Sequence, residues 1–366
     1  MSFKLQDNMS AMKIFEIYQK TSVDVQELIR ETNTTLPISE LLIENYHDMI
    51  HISLARTGKN FSGWLVFDAD RIEGVDEEDL EPMTIGTTLF PHSETRPDEL
   101  TLYHENRLTG AFLLIKYLFE IFPGPLKLTT LITATISRPD ISQFYKDLFE
   151  YLNSLKACQS LTFFEKGSSS KTMIDQILDS ATGLKRLDLR LNLPDDWRNS
   201  KVLKLDNLMA YPAEWFTRED LLNNLDCEYA NINETNLECK DFKEFMQKWQ
   251  TGRDTKLKAL EVSFHGDWDE WDTDGLGAKE WDPTQRDSHY PDLLKEDGDW
   301  QNCEHATDIQ RPDGLLASFW RREQSFHFVV WHDRHPIATL QPDPDLLVQL
   351  DEDQFASSDE KEDEDE

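Results

Sequence analysis

The sequence predicts an α/β chain: a parallel sheet wound as a solenoid, helices along one side, and β hairpins closing both ends. Three observations carry this. Amphipathic helical stripes alternate with short β-like runs through residues 140–264, a leucine-spaced frame recurs on those runs, and strongly alternating segments flank them at 50–67 and 311–331. Helix–strand alternation of this kind makes the strands run parallel, with the helices covering them.

Taken in order, DISQFYKDLFEYLNSL (140–155) puts Ile141, Phe144, Leu148, Leu152 and Leu155 on one helical face. MIDQILDSATG (173–183) repeats this with Ile174, Ile177, Leu178 and Ala181, then stops at Gly183. TREDLLNNL (217–225) opens as a capping box, Thr217 to Asp220, and predicts a third helix. CKDFKEFMQKWQTG (239–252) lines up Phe242, Phe245, Met246 and Trp249 and ends at Gly252. The β-like runs are 161–164, 184–191, 227–232 and 257–264.

On those runs Leu184, Leu187, Leu189 and Asn192 fill the spacing L-x-x-L-x-L-x-x-N in full. Partial copies start at Leu128, Cys158, Ser200, Leu222 and Leu257, at intervals of 30, 26, 16, 22 and 35 residues. Units of this kind bury strand and helix only against their neighbours, so the expectation is a leucine-rich-repeat-like solenoid with an exposed concave sheet. The alternative is an ordinary parallel α/β sheet with loose spacing. At the ends, 50–67 alternates around Gly58, and 311–331 reads as two strands entered through Pro312-Asp313-Gly314. Both are expected to be hairpin caps.

Charge is concentrated. The chain has 37 Lys+Arg against 71 Asp+Glu, a formal net charge of −34. Residues 68–99, 267–300 and 351–366 each carry −9, leaving the rest of the chain near ordinary. Such a field disfavours nucleic acid and anionic membrane as partners. The division expected is a short helical segment over 1–49, a body over 50–335 with an acidic insert at 267–300, and a disordered acidic tail over 336–366. No apolar stretch is long enough to span a bilayer, and the four scattered cysteines form no CxxC pair. That points to cytoplasm or nucleus.

Chemistry-bearing motifs are few. GSSSKT (167–172) lacks the glycine a phosphate loop needs before its lysine. Asp267, Asp269, Asp272 and Asp274 precede Gly275 as in a calcium loop, but the bidentate-acid position falls on Trp281. Cys303, His305, His332 and His335 would have to converge from separate loops to hold zinc. Neither catalytic residues, a metal site nor a cofactor is expected, and the chain reads as no enzyme. Trp268, Trp271 and Trp281 in the acidic insert are candidates for a partner-binding patch. The competing reading tucks these indoles onto the end of the solenoid.

Residues 211–264 resemble the F-box-associated domain of the large nematode F-box families. The resemblance rests on Trp215 and Thr217 before a helix, the run 227–232, then Leu237, Phe242, Phe245, Trp249, Gly252 and a Leu-x-x-Leu-x-Val strand. DIQRPDGLLASFW and FHFVVW (308–331) are similar to that family's closing hairpin, with Asp313, Gly314 and Trp331 as structural residues. The family pairs this domain with an N-terminal F-box that docks on the Skp-type adaptor of a cullin-RING ubiquitin ligase. Leu36-Pro37 and ISELLIENY resemble the start of an F-box, but the alternating run at 50–54 follows too soon for its helices. The F-box is therefore expected to be degenerate or absent within 1–49, with the adaptor a partner only if an F-box precedes Met1.

The resemblance implies a non-catalytic protein-recognition module like the substrate receptors of such ligases, binding a protein target that the sequence does not identify. The rival is a stand-alone acidic protein that holds basic partners, such as histone-like or ribosomal chains, through its −9 blocks.

Overall fold

A computed structural model describes residues 14, 15, 19, 38–46, 48–56, 62–72, 80–96, 99–122, 128–133, 139–155, 158–165, 171–252, 256–266, 268, 271–291 and 300–332. The tail expected at 336–366 and most of the segment 1–37 lie outside these residues.

Among the described residues, sixteen strands form one mixed sheet. Its centre is β7 (Leu128–Thr133), β8 (Ser160–Glu165), β9 (Arg186–Arg190), β10 (Asn207–Ala210), β11 (Tyr229–Thr235) and β12 (Ala259–Phe264). These six lie side by side in chain order, and every neighbouring pair is parallel. Among the described residues the long helices are α1 (Arg107–Ile121), α2 (Pro139–Ser154), α3 (Lys171–Ser180) and α4 (Cys239–Thr251). The α/β class and the parallel run are as expected.

The register explains why the strands stack. One row runs Ile43, Leu131, Phe163, Leu189, Ala210, Ile232, Val262 and Phe326 across successive strands. A second runs Leu41, Thr129, Leu161, Leu187, Leu208, Ala230, Leu260 and Phe328. From β8 to β18 both rows face the helices: Phe242 of α4 stacks on Phe326 at 4.7 Å, and Phe245 meets Phe328 edge-on at 5.1 Å. Side chains alternate between the faces of a strand, so these rows bury one face of the sheet only.

That register corrects the repeat frame. The strands align when the copies start at Leu126, Cys158, Leu184, Leu205, Cys227 and Leu257, so the starts at Ser200 and Leu222 are five residues early and that at Leu128 two late. The intervals then run from 21 to 32 residues, tighter than the sequence suggested. Counting leucines misled because Ala210, Ala230 and Thr129 hold row positions, while Leu203 and Leu225 sit in turns.

Two further expectations change, and a third is met in a widened form. The capping box exists, with Thr217 N and Oγ1 both donating to Asp220 Oδ2 at 3.0 and 2.6 Å, and it opens the expected helical segment over 218–224. Leu221 N bonds Thr217 O as in an α-helix, and the rest widens to a π turn, Asp220–Asn224, closed by Leu225 N on Asp220 O. The caps are larger than hairpins. At the C-terminal end β18 (Ser325–Trp331) pairs antiparallel with β12, followed outward by β17 (Leu316–Arg322), β16 (Thr307–Gln310) and β13 (Lys279–Glu280).

At the other end β1 (Ile38–Asn45) pairs parallel with β7, and then come β2 (Met49–Arg56), β3 (Ser62–Asp68), β6 (Glu99–His104), β5 (Thr88–Arg96) and β4 (Glu81–Ile85). ISELLIEN is thus a strand inside the sheet, not part of a helical segment ending at residue 49, since Leu41 and Ile43 supply its buried face. Ile14 and Phe15 are also buried, Phe15 edge-on to Trp64 at 5.6 Å.

Candidate functional site

The face of the sheet turned away from α4 is the open one, and its residues follow from the same register. A middle row reads Thr162, Asp188, Met209, Asn231, Glu261, His327 and Trp320. Above it lies Phe164 opposite Arg190, with Tyr211 next, its N–H bonded to Leu189 O at 2.8 Å. Phe164 is 39% exposed and Tyr211 52%, large values for aromatic rings standing on a strand array. Between them Arg190 is fixed by Asp188, whose Oδ2 accepts from Nε at 3.0 Å and lies 2.9 Å from Nη2. The result is an aromatic–cation–aromatic strip at the C-terminal ends of β8 to β10.

A second core lies on the same face of the sheet, farther along at β12, β18 and β17. Tyr290, Cys303, Ala306, Leu316, Val329 and Trp331 are buried together. Its centre is Arg286, whose side chain is fully buried. Nε donates to both oxygens of Asp308 at 3.0 Å, Nη2 to Asp308 and to Cys303 O, and Nη1 to Asp287 O. Asp308 also accepts from Ser318 Oγ at 2.6 Å, and Ser318 accepts from Trp331 Nε1 at 2.8 Å. The guanidinium stands 5.0 Å over the Trp331 ring. Every polar atom of the pair finds a partner, which a buried charge requires. The acidic insert delivers this: its β14 (His289–Pro291) pairs with β15 (Trp300–Asn302), and Tyr290 meets Trp331 edge-on at 5.0 Å.

One other polar cluster has the look of chemistry. Glu44 Oε2, His51 and Ser53 form a chain, at 2.6 Å to Nδ1 and 2.9 Å from Nε2 to the hydroxyl. This has the connectivity of a hydrolytic triad. Yet Ser53 is 2% exposed in a strand paired on both sides, so its backbone is committed to ladders and supplies no oxyanion donors. Gly63 makes room for it, since a Cβ there would meet His51 Nε2 at 2.7 Å. All four cysteines are buried, and burial pushes the thiols of Cys227 and Cys303 up to about 12, far from thiolate chemistry. No cluster of metal-ligating side chains occurs among the described residues.

The residues singled out from sequence distribute as follows. Trp268 and Trp271 are half-buried against the helix-side core, 5.0 Å apart and edge-on, with Trp268 Nε1 donating to Glu323 O. Trp281 is half-buried, with Nε1 3.4 Å from Arg286 O. These three do not converge on one patch. Trp215 and Trp249 are buried, Trp215 edge-on to Trp197 at 4.8 Å and Trp249 edge-on to Phe328 at 5.3 Å. Gly252 closes α4 through its N–H to Lys248 O. Asp313 holds Arg311 at 2.6 Å, and Gly314 has a φ of +91°, which a side chain would strain. Trp331 lies in the second core.

Sequence reasoning missed the strip and the Arg286 network. Phe164, Arg190 and Tyr211 are 21 or more residues apart, and only the corrected register lines them up.

With this geometry in place, the comparisons with known proteins have a structural address. Residues 198–262 match the sequence model of the F-box associated family, which covers β10, β11, α4 and most of β12. Two uncharacterized proteins of Caenorhabditis elegans are similar. One is 27% identical over 244 residues, covering 65% of this chain and 55% of that protein. The other is 25% identical over 282 residues, covering 73% and 62%. A shorter similarity, 40% over 65 residues, is to the E3 ubiquitin-protein ligase hecw-1 of the same organism, covering 18% of this chain and 5% of that one. The chain spans less than two thirds of the two longer-matching relatives. No solved structure matches. No helix among the described residues is long and apolar enough to cross a membrane.

Proposed function

We propose, on the premise that residues 198–262 are F-box associated sequence, that the chain is a non-catalytic recognition module that presents a protein target to a ubiquitin ligase. The observation that carries this is the position of the matched segment: it builds the C-terminal half of a parallel array whose open face carries the Phe164–Arg190–Tyr211 strip, with Tyr211 inside the segment. We read that array as a leucine-rich-repeat-like solenoid, whose exposed sheet face is the usual binding surface. Aromatic and arginine side chains dominate the energetics of protein interfaces, and Phe164 and Tyr211 stand exposed here.

The rival, a purely electrostatic holder of basic chains, draws less support from this surface. The open face mixes signs, with Arg190 on Asp188. Such a face selects by pattern more than by net charge.

The test is capture of partners by the full chain from nematode cells, compared with a Phe164→Ser/Tyr211→Ser chain. Loss of the same ubiquitylation-linked partners from the double variant, at moderate and at high salt, supports the reading. Partners that depart with salt alone and ignore the double variant favour the acidic holder.

A further inference from the structure

The strip on the open face has a step of its own. Phe164 stands on β8 and Tyr211 just past the end of β10, with Arg190 of β9 between them at the same level. Two strand spacings, about 9.6 Å, separate the two aromatic positions. Neither ring meets another aromatic or a cation among the described residues, and both are well exposed. Asp188 takes Nε and Nη2 of Arg190, and Nη1 has no partner among the described residues.

Charge is unevenly placed around this strip. Its bases, Arg186 and Arg190, are on β9, and Asp188 between them balances one. Past Tyr211 the sign reverses. Glu234, next after Asn233 of β11, bonds the Tyr211 hydroxyl, a contact that raises the phenol's pKa. No base pairs with Glu234 among the described residues. On β12, Glu261 accepts from Asn231 Nδ2 at 3.4 Å. The Tyr211 end of the strip is thus acidic, in a chain whose net charge of −34 draws cations toward it.

We propose, on the premise that the strip is the target surface, that the segment it takes is a polyproline II helix with prolines three residues apart and a basic residue one turn beyond. Such a helix has three residues per turn and rises about 3.1 Å per residue, so a side chain returns to the same side after about 9.3 Å. That is the step from Phe164 to Tyr211. A β segment returns after about 6.7 Å and an α-helix after about 5.4 Å, and neither step meets both rings. Proline rings pack on the two aromatics, at little ordering cost because the helix is preformed. Its carbonyls make no internal hydrogen bonds, so one accepts from Arg190 Nη1. The next turn carries a side chain past Tyr211 toward Glu234 and Glu261, where an arginine or lysine of the target matches the acidic end.

Fluorescence anisotropy of the full chain with the labelled peptide Pro-Pro-Ala-Pro-Pro-Ala-Arg, and with the reversed sequence to cover both chain directions, tests this. At least one should bind saturably. Phe164→Ser and Tyr211→Ser should each weaken it at least about tenfold, the loss of one aromatic anchor. Glu234→Lys should also weaken it, and should strengthen binding of the peptide whose arginine is replaced by glutamate. The proposal is overturned if neither peptide binds, if the variants leave binding unchanged, or if Pro-Pro-Pro-Ala-Arg-Ala-Pro, of the same composition with no two prolines three apart, binds equally well. Should the peptides fail while Phe164→Ser/Tyr211→Ser still strips ubiquitylation-linked partners from cell extracts, the target surface stands and its ligand class is wrong. Partners that ignore the double variant place the surface elsewhere, and the proposal falls with it.

Discussion

The parallel centre and the C-terminal end of this sheet are held together in opposite ways. From β7 to β12, each unit contributes the same kind of side chain to the same two rows, so Leu189 and Ile232 do equivalent work and a neighbour can absorb a change. From β12 to β13, stability converges on one buried cation and its partners, Arg286, Asp308, Ser318 and Trp331, none of which has a substitute. The lesson is about failure: a row should weaken by degrees, whereas a saturated ionic network should collapse when one member is lost. The acidic insert belongs to the second kind of region, because it carries Arg286 and Tyr290 into the core.

Arg286→Met should break this comparison most sharply. It leaves Asp308 buried without its cation, a loss of about 3–5 kcal/mol, and the urea midpoint should fall accordingly. Adding Asp308→Asn to that variant should recover part of the loss, since the stranded charge is then gone. A midpoint unchanged in the single variant would show that the insert does not seal the second core.

Next comes Trp249→Ala. Trp249 is 7% exposed, edge-on to Phe328 with Arg311 5.7 Å over its ring, so truncation opens a cavity between α4 and β18. The expected cost is about 3–5 kcal/mol, read as a drop in the denaturation midpoint. A normally stable variant that has lost partner binding would instead assign Trp249 to an interface.

The third effect depends on pH. Burial, and then the charge of Arg322, lower the pKa of His327 from 6.5 to about 4. Its ring lies flat on Trp320 at 4.9 Å and 3°. The unfolded chain therefore binds the proton more readily than the folded one. Stability from this group is intact above pH 6.5 and is lost as pH falls from 6.5 through about 4, by about 3 kcal/mol in all. Melts of His327→Gln across that window should lack this slope, while the carboxylates' own contribution remains.

How much of this was legible follows from the same contrast. The parallel run was readable because a hydrophobic frame repeats at a period, and Leu187, Leu189, Leu260 and Val262 fall where the frame puts them. Even there the register slipped at β10 and β11, since Ala210 and Ala230 are too small to advertise a row. β1 was unreadable as a strand because Leu41, Leu42 and Ile43 run together without alternation, even though its antiparallel partner β2 begins four residues on. Arg286 sits in a segment whose composition reads as solvated acid, Asp308 opens the run read as a closing hairpin, and only tertiary pairing makes them core. Trp268 and Trp271 were visible as a cluster, but sequence offers no sign of which side an indole faces.

The smallest stability effect belongs to the open strip, and it sharpens the comparison from the other side. Phe164 and Tyr211 stand on the same strands as Phe163 and Ala210, one residue away, yet they point to the opposite face. Removing a buried neighbour such as Leu187 should cost about 2–5 kcal/mol. Removing Phe164 or Tyr211, which are 39% and 52% exposed, takes away little packing. Phe164→Ser and Tyr211→Ser should each shift stability by no more than about 0.5 kcal/mol. Arg190→Ala should cost more, about 1–3 kcal/mol, since it leaves the buried Asp188 carboxylate without that partner. The three variants should nevertheless abolish capture of the target in cell extracts, while Leu187→Ala weakens it only as far as it unfolds the chain. A strip variant that loses stability without losing its partner would place the recognition surface elsewhere on the sheet.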